Sequence, residues 1–258
     1  MNFSFYKYQG TGNDFVVVDN RTLFFEKDQA DFIKLCCDRK FGIGADGLIL
    51  LENHSTADFK MVYFNADGHQ SSMCGNGGRC IVHFAKHLGI IDRHATFEAI
   101  DGLHKAEVLD DNIISLKMND VDNIEQIGDG LFLNTGSPHH VAIVKDLQNF
   151  DVYLQGKELR HNCYGKAGAN INFVEQKNDD TFAVRTYERG VENETLSCGT
   201  GVTAVAVAMF DKGLTDRSRV NLETPGGTLT VSFTKKENCY ENIYLTAHVG
   251  LVFKGTWE

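Results

Sequence analysis

The chain carries an internal echo. Cys74-Gly75-Asn76-Gly77-Gly78 returns 124 residues later as Cys198-Gly199-Thr200-Gly201-Val202. The same gapless offset carries Thr11-Gly12-Asn13 onto Thr135-Gly136-Ser137 and Gly44-Ala45-Asp46 onto Gly168-Ala169-Asn170. It also carries Tyr63 onto Tyr187, Gly89 onto Gly213, Asp92 onto Asp216 and Gly102 onto Gly226. A chain built this way folds as two copies of one unit. The 258 residues allow each copy about 120 residues, enough for a core of its own. The second copy should begin near Met118–Asn119, which predicts one domain over 1–118 and another over 119–248. The last apolar segment, 249–254, has no partner at the repeat offset. Residues 249–258 are therefore expected to return to the first domain.

Apolar residues fall mostly into short strands: Phe15–Asp19, Leu48–Glu52, Asp58–Asn65, Thr96–Ala99, His104–Leu109 and Ile113–Met118. Two segments of the first copy have helical spacing. Asp28–Lys40 places Phe32, Leu35 and Cys36 on one side. Cys74–His87 places Ile81, Phe84, Ala85 and Leu88 at i, i+3, i+4 and i+7, with Gly89 as a stop. The matching helix of the second copy runs from Cys198 to Lys212, and its stretch Val202–Phe210 is apolar on nearly every side. Such a helix must be enclosed rather than laid on a surface. The expected fold class is α+β: two pseudo-symmetric domains, each a curved, mostly antiparallel β-sheet or barrel around a central helix. The expected active site lies in the interdomain cleft.

Composition narrows the function classes. The net charge of −10 argues against a nucleic-acid partner, which needs a basic face. No apolar run reaches the ~18 residues of a membrane span. The start, Met1 to Gly12, lacks a basic segment followed by an apolar one, which predicts no secretory signal and a cytoplasmic location. Seven cysteines in such a chain are expected to be reduced. Cys36, Cys37, Cys163 and Cys239 have no repeat partner and no C-x-x-C spacing, so a metal site is not expected. Gly42-Ile43-Gly44-Ala45-Asp46-Gly47 spells G-x-G-x-x-G, but a helical segment precedes it and a strand follows. A dinucleotide site needs the reverse order.

The two Cys-Gly-x-Gly sequences carry the chemistry. At a helix start, backbone N–H groups lack partners and the dipole is positive. Glycines there let a ligand approach the backbone. Such a site binds a carboxylate and favours thiolate over thiol. A favourable helix terminus, worth up to about 2 kcal/mol, lowers a thiol pKa by roughly 1.5 units. A lone buried cysteine is usually a small hydrophobe, and Cys80, inside the helix, reads that way. Two cysteines at repeat-equivalent helix starts instead offer a base and an acid to opposite faces of one stereocentre.

With both cysteine sequences in place, the chain resembles the diaminopimelate epimerase family over essentially its whole length. The resemblance rests on Gly10-Thr11-Gly12-Asn13-Asp14-Phe15, Gly42-Ile43-Gly44-Ala45-Asp46-Gly47, and Phe64-Asn65-Ala66-Asp67-Gly68 leading to Cys74-Gly75-Asn76-Gly77. In the second half it rests on Gly136-Ser137-Pro138-His139, Gly168-Ala169-Asn170-Ile171, and Tyr187-Glu188-Arg189-Gly190 leading to Cys198-Gly199-Thr200-Gly201. It implies a PLP-independent isomerase, with no cofactor, that interconverts LL- and meso-2,6-diaminopimelate in lysine and peptidoglycan precursor biosynthesis. Cys74 and Cys198 would be the catalytic acid and base. Gly75, Asn76, Gly199 and Thr200 would hold the carboxylate at the reacting carbon. Asn13, Asn65, Asn170 and Arg189 would grip the substrate, and Glu188 would take its distal ammonium. Glu188 and His139 would tune the thiols.

Three departures bear on recognition. Gly47 stands where many members have Gln, Ser137 where many have Asn, and the spacer from Gly190 to Ser197 is one residue longer than usual. Two other readings stay open: a proline or hydroxyproline racemase-like enzyme, and a non-catalytic amino-acid-binding module or thiol redox protein on the same duplicated fold. The partner expected is a small molecule, with no nucleic acid and no membrane, and a homodimer is left open.

Overall fold

The computed structural model describes residues 2–71, 73–237 and 239–258. The chain divides into two compact units, Met1–Leu116 with Ala247–Glu258, and Lys117–Thr246. The first unit contains β1 (Phe3–Gly10), β2 (Asn13–Asp19), α1 (Ala30–Cys37), β3 (Gly47–Glu52) and β4 (Phe59–Asn65). It continues with α2 (Gly75–His87), β5 (His94–Ala99), β6 (Gly102–Asp110) and β7 (Ile113–Lys117). The second unit contains β8 (Ile124–Ile127), β9 (Gly130–Asn134), β10 (Pro138–Ile143), α3 (Val152–Tyr164), β11 (Asn170–Gln176) and β12 (Thr181–Glu188). It continues with β13 (Asn193–Thr195), α4 (Gly199–Asp211), β14 (Arg219–Thr224) and β15 (Gly227–Lys235). The long strand β16 (Tyr240–Trp257) begins in the second unit and ends in the first.

In the first unit β1 to β7 pair in sequence order, and β16 joins β7 to β1, closing the sheet into a barrel. In the second unit the order is β16-β15-β14-β12-β11-β10-β9-β8, with β13 on the flank of β12. Most ladders are antiparallel. The parallel ones are β2–β3, β4–β5, β10–β11 and β12–β14, and each of these pairs is bridged by a helix in the chain. A parallel neighbour requires a crossover of a dozen or more residues, so the four helices sit where the ladder changes sense.

The two kinds of helix are buried differently. From Val202 to Met209 every residue of α4 is buried, and α4 touches β9, β10, β11, β12, β14 and β15. Likewise α2 touches β1, β2, β3, β4 and β6. For α4 this is the enclosure that its all-round apolar pattern calls for, and α2 is enclosed in the same way. Each of the fully buried Val202, Val205 and Val207 contributes roughly 2 kcal/mol of transfer free energy. By contrast, α1 and α3 cover the outer face of their sheets. All six residues of β3 are buried because both its faces are covered. Leu48 and Leu50 join Ile33 and Cys36 of α1 in the outer cluster, while Ile49 lies beside Gly77 of α2.

Three details depart from the sequence reading. The first helix spans Ala30–Cys37 and not Asp28–Lys40, because Asp38 leaves helical geometry at ψ 126°. The Asp38 carboxylate then accepts from the N–H groups of Lys40 and Phe41, which is Asx-turn chemistry. Leu35 points outward at 41% exposure, and the inward residues are Ile33, Cys36 and Cys37. Finally, the C-terminal segment does have a counterpart. It pairs antiparallel with β1 as β8 pairs antiparallel with β9, although the two sequences show no likeness.

Gly156 is the contact point of α3 with β12. A Cβ there would lie 2.4 Å from Tyr187 Cβ, an atom that cannot swing aside. Helix propensity favours alanine by about 1 kcal/mol, but overpacking of this kind costs about 1–3 kcal/mol. Gly156→Ala is expected to lower Tm by about 2–6 °C in a thermal melt. An unchanged or higher Tm would mean that α3 is not held at this point.

Candidate active site

Each unit gathers its candidate residues at one end of its sheet, around the start of the enclosed helix. In the first unit the register sets Phe15 beside Gly47 and Gly47 opposite Asn65. Asn13, Gly47 and Asn65 therefore share one end of β2, β3 and β4. In the second unit His139 pairs with Asn170 and Ile171 with Tyr187, which brings Glu188 and Arg189 to the same end.

Cys74 and Cys198 are the N-cap residues of α2 and α4. Both have extended backbone, and neither side chain caps its helix. The first helical bonds run from Gly78 N to Cys74 O at 2.7 Å and from Val202 N to Cys198 O at 2.9 Å. The N–H groups ahead of these bonds point out of the helix end. They belong to Gly75, Asn76 and Gly77, and to Gly199, Thr200 and Gly201. Two glycines of these first turns are closely packed. A Cβ at Gly78 would meet Met73 Sδ at 2.9 Å, and one at Gly201 would meet Asn172 Oδ1 at 2.4 Å. Cys198 is 8% exposed, and its sulfur lies 3.5 Å from Thr200 Oγ1.

Asn13 is held on both sides. Its Nδ2 donates to Asp46 Oδ2 at 2.5 Å, which turns Oδ1 to accept from the Cys74 thiol at 3.6 Å. Asp46 also accepts from Arg39 at 2.8 Å. Arg39 forks onto Asp14 at 3.0 and 2.6 Å, and Lys7 pairs with Asp14 at 2.7 Å. Burial alone would raise the Asp14 pKa, but the hydrogen bonds and charges of Arg39 and Lys7 hold it down at about 2. Asn65 ends β4 and opens a tight turn in which Gly68 N donates to Asn65 O at 2.9 Å. Gly68 takes φ +89°, and a Cβ there would strike Ala30 O at 2.1 Å. Beside it, a Cβ at Gly47 would lie 2.6 Å from Tyr63 Cε2. The Tyr63 ring thus occupies the space that a larger residue at 47 would enter.

In the second unit Asn170 Oδ1 accepts from Arg189 N at 2.8 Å, and its Nδ2 donates to Ser137 Oγ at 3.3 Å. Asn170 therefore fixes the turn that presents Arg189. Arg189 is exposed and donates from Nη1 to Ala167 O at 2.9 Å. Glu188, half-buried, ends β12. The longer spacer folds as a hairpin. β13 pairs back onto β12, Glu192 takes φ +54°, and its carboxylate accepts from Arg160 and Tyr187 at 2.9 and 3.1 Å.

His139 is fully buried. Asn172 Nδ2 donates to its Nδ1 at 3.2 Å, which places the imidazole proton on Nε2. Burial, then the nearby Arg189 charge, depress its pKa to about 3. Asn172 also donates to His140 O at 3.0 Å and accepts from Thr186 Oγ1 at 3.0 Å. It sets the orientation of His139 and packs against Gly201. The sequence reading missed Asn172, although strand alternation puts it on the same side as Asn170. It also missed Arg79, a fully buried residue of α2.

A histidine that is neutral when folded and has pKa about 6.5 when unfolded binds its proton only in the unfolded chain. Its stabilising effect is fully present above about pH 6.5 and is lost as pH falls toward about 3. The His139 ring nitrogens should therefore keep neutral-imidazole NMR shifts down to about pH 5. His139→Asn should flatten the acid-side fall in stability. A ring that titrates near pH 6 in the folded protein would contradict this environment.

The sequence pattern of the diaminopimelate epimerase family matches residues 5–123 and 131–250, once for each unit. The chain is 54% identical over 252 residues to a diaminopimelate epimerase of Flavobacterium psychrophilum, covering 97% of this chain and 98% of that one. It is 41% identical over 273 residues to a diaminopimelate epimerase of Aquifex aeolicus, covering 97% and 96%. Among solved structures, a PhzF-family phenazine biosynthesis protein of Bacillus anthracis superposes with a TM-score of 0.80 at 14% identity, covering 100% and 99%. A hydroxyproline epimerase of Agrobacterium vitis superposes with a TM-score of 0.72 at 14% identity, covering 99% and 92%. These two share the two-domain fold. On the sequence match over both units, the chain belongs to the diaminopimelate epimerase family.

Proposed function

We propose that the protein interconverts LL- and meso-2,6-diaminopimelate by two-base proton transfer between Cys74 and Cys198, without a cofactor, in lysine and peptidoglycan precursor biosynthesis. The observation that carries this is the pair of cysteine N-caps at repeat-equivalent helix starts in a chain of this family. One thiolate removes the α-proton, and the other thiol delivers a proton to the opposite face. The α-carbon of an amino acid is a weak acid, so charge developing on the substrate carboxylate needs fixed donors in a site without water. The N–H groups of Gly75, Asn76, Gly199 and Thr200 suit that task. Arg189, exposed and held at the mouth of a turn, suits a distal carboxylate that it can pair bidentately. Glu188 suits the distal ammonium, and Asn13, Asn65 and Asn170 contribute neutral contacts. His139, buried and neutral, tunes the second thiol through packing and dipole, not through charge. The scheme requires both thiols to reach one substrate with water excluded.

The hydroxyproline epimerase shares this fold. Glu188 and Arg189 favour a longer, diamino dicarboxylic substrate over a proline. Among the described residues no helix is long and apolar enough to cross a membrane. A cytoplasmic location and a homodimer remain part of this proposal.

Reduced protein with LL-diaminopimelate in D2O should incorporate deuterium at one α-position and form the meso isomer without pyridoxal phosphate, as read by NMR. Absence of exchange would refute the reaction, and turnover of proline analogues would replace it with a racemase. Cys74→Ala and Cys198→Ala should each lower epimerisation by at least about 10²-fold. Near-normal turnover in either variant would exclude the two-thiol scheme.

A further inference from the structure

Arg79 lies in the middle of α2 with no exposed surface. Its Nη2 donates to Thr11 Oγ1 and to Asn76 Oδ1, both at 2.8 Å. Its Nη1 donates to Gly75 O at 3.2 Å, and its Nε has no acceptor. All three acceptors are neutral. Among the described residues no carboxylate pairs with it. Burial brings its pKa down to about 10, still high enough to keep it charged near neutral pH. A buried, uncompensated cation is costly, so its place directly behind the first turn of α2 calls for an anion.

The titratable groups whose charges act on Arg79 are Cys80 and Cys74. Burial pushes the Cys80 thiol up to about 12, so Cys80 stays neutral. The other is Cys74, the N-cap residue just before Gly75, whose carbonyl Arg79 holds.

The duplication supplies an internal control. At the position equivalent to Arg79 stands Thr203, whose hydroxyl donates to Gly199 O at 2.8 Å. Thr135, equivalent to Thr11, donates to Thr200 O at 2.8 Å. The same first turn is braced in both units, by a guanidinium in one and by hydroxyls in the other.

We infer that Arg79 is a positioning residue that holds Cys74 as the thiolate of the resting enzyme, leaving Cys198 as the thiol. This rests on the two-thiol reading above and gives the pair a fixed resting polarity. The groups facing Cys74 from other elements compete with Arg79. The Asn13 carbonyl accepts from the thiol at 3.6 Å, but an S–H donor is weak. Behind Asn13, Asp14 and Asp46 are matched by Lys7 and Arg39. From the β5–β6 turn, Asp101 accepts from Met73 N at 3.4 Å and pairs with His104 at 3.2 Å. Each of these carboxylates already has a partner, whereas Arg79 has none.

The test is the pH profile of iodoacetamide alkylation at each cysteine in the reduced, substrate-free protein, read by mass spectrometry. The midpoint is compared and not the plateau, because the plateau also reflects access. Cys74 is expected to titrate at least about one unit below Cys198. Arg79→Met should raise the Cys74 midpoint by about one unit, about tenfold less thiolate at neutral pH, with Cys198 unmoved. Arg79→Lys should restore most of the shift. A wild-type Cys198 midpoint at or below that of Cys74 overturns the inference, as does an unmoved Cys74 midpoint in folded Arg79→Met. If Arg79→Met does not fold, the wild-type order decides alone. Deuterium exchange without this order refutes the polarity only, and the order without exchange refutes the proposed reaction.

Discussion

Enclosure of an all-apolar helix is the constraint from which the architecture follows. A helix such as α4, buried from Val202 to Met209, has no face to offer water, so a sheet must curve around it. A sheet that curves around its own crossover helix needs a parallel ladder where the helix leaves and returns. That accounts for the parallel pairs β4–β5 and β12–β14 in sheets otherwise largely antiparallel. Enclosure also determines where reactive groups can sit. The sides of such a helix are consumed by packing, and its N-terminal end is the part left to face a ligand. Each cysteine stands at that end.

The two half-sites share a backbone plan and differ in polar detail. In the first, Asp46, Asp14, Arg39 and Lys7 form a charged lattice that fixes Asn13. In the second, Asn172, His139 and Thr186 form a neutral network beneath α4. Burial, with the nearby Arg189 charge, keeps the imidazole uncharged, and the neutral hydrogen bond from Asn172 satisfies its Nδ1 without adding charge.

The sequence made the enclosed helices and their cysteine starts legible, because Gly-x-Gly after each cysteine and the glycine stops at 89 and 213 are local signals. α3 was illegible for a related reason. Only Val152 and Gly156 of it are buried, so it leaves almost no apolar stripe. Leu35 misled because apolar character alone does not say which side of a short helix faces inward. Asn13, Asn65, Asn170 and Arg189 could be named from motifs, but what holds them could not. Asp46 grips Asn13 from 33 positions away, and Asn172 meets His139 across the same separation. Such pairings depend on strand order, which local periodicity does not encode. Arg79 was passed over because a charged residue within a helix ordinarily reads as a solvated one, and only the closed barrel shows that it has no solvent.

The long strand β16 passes from one unit into the other, and its last residues, from Ala247 onward, belong to the first. They pair with β1 from Phe3 to Gly10. On a ribosome, which delivers the chain from its N-terminus, the first unit therefore lacks a stave while the second already has all of its own. The half that is translated first is the half that must wait, with the edge of β1 open, until the final strand emerges. The order of synthesis and the order in which the barrels can be completed run in opposite directions.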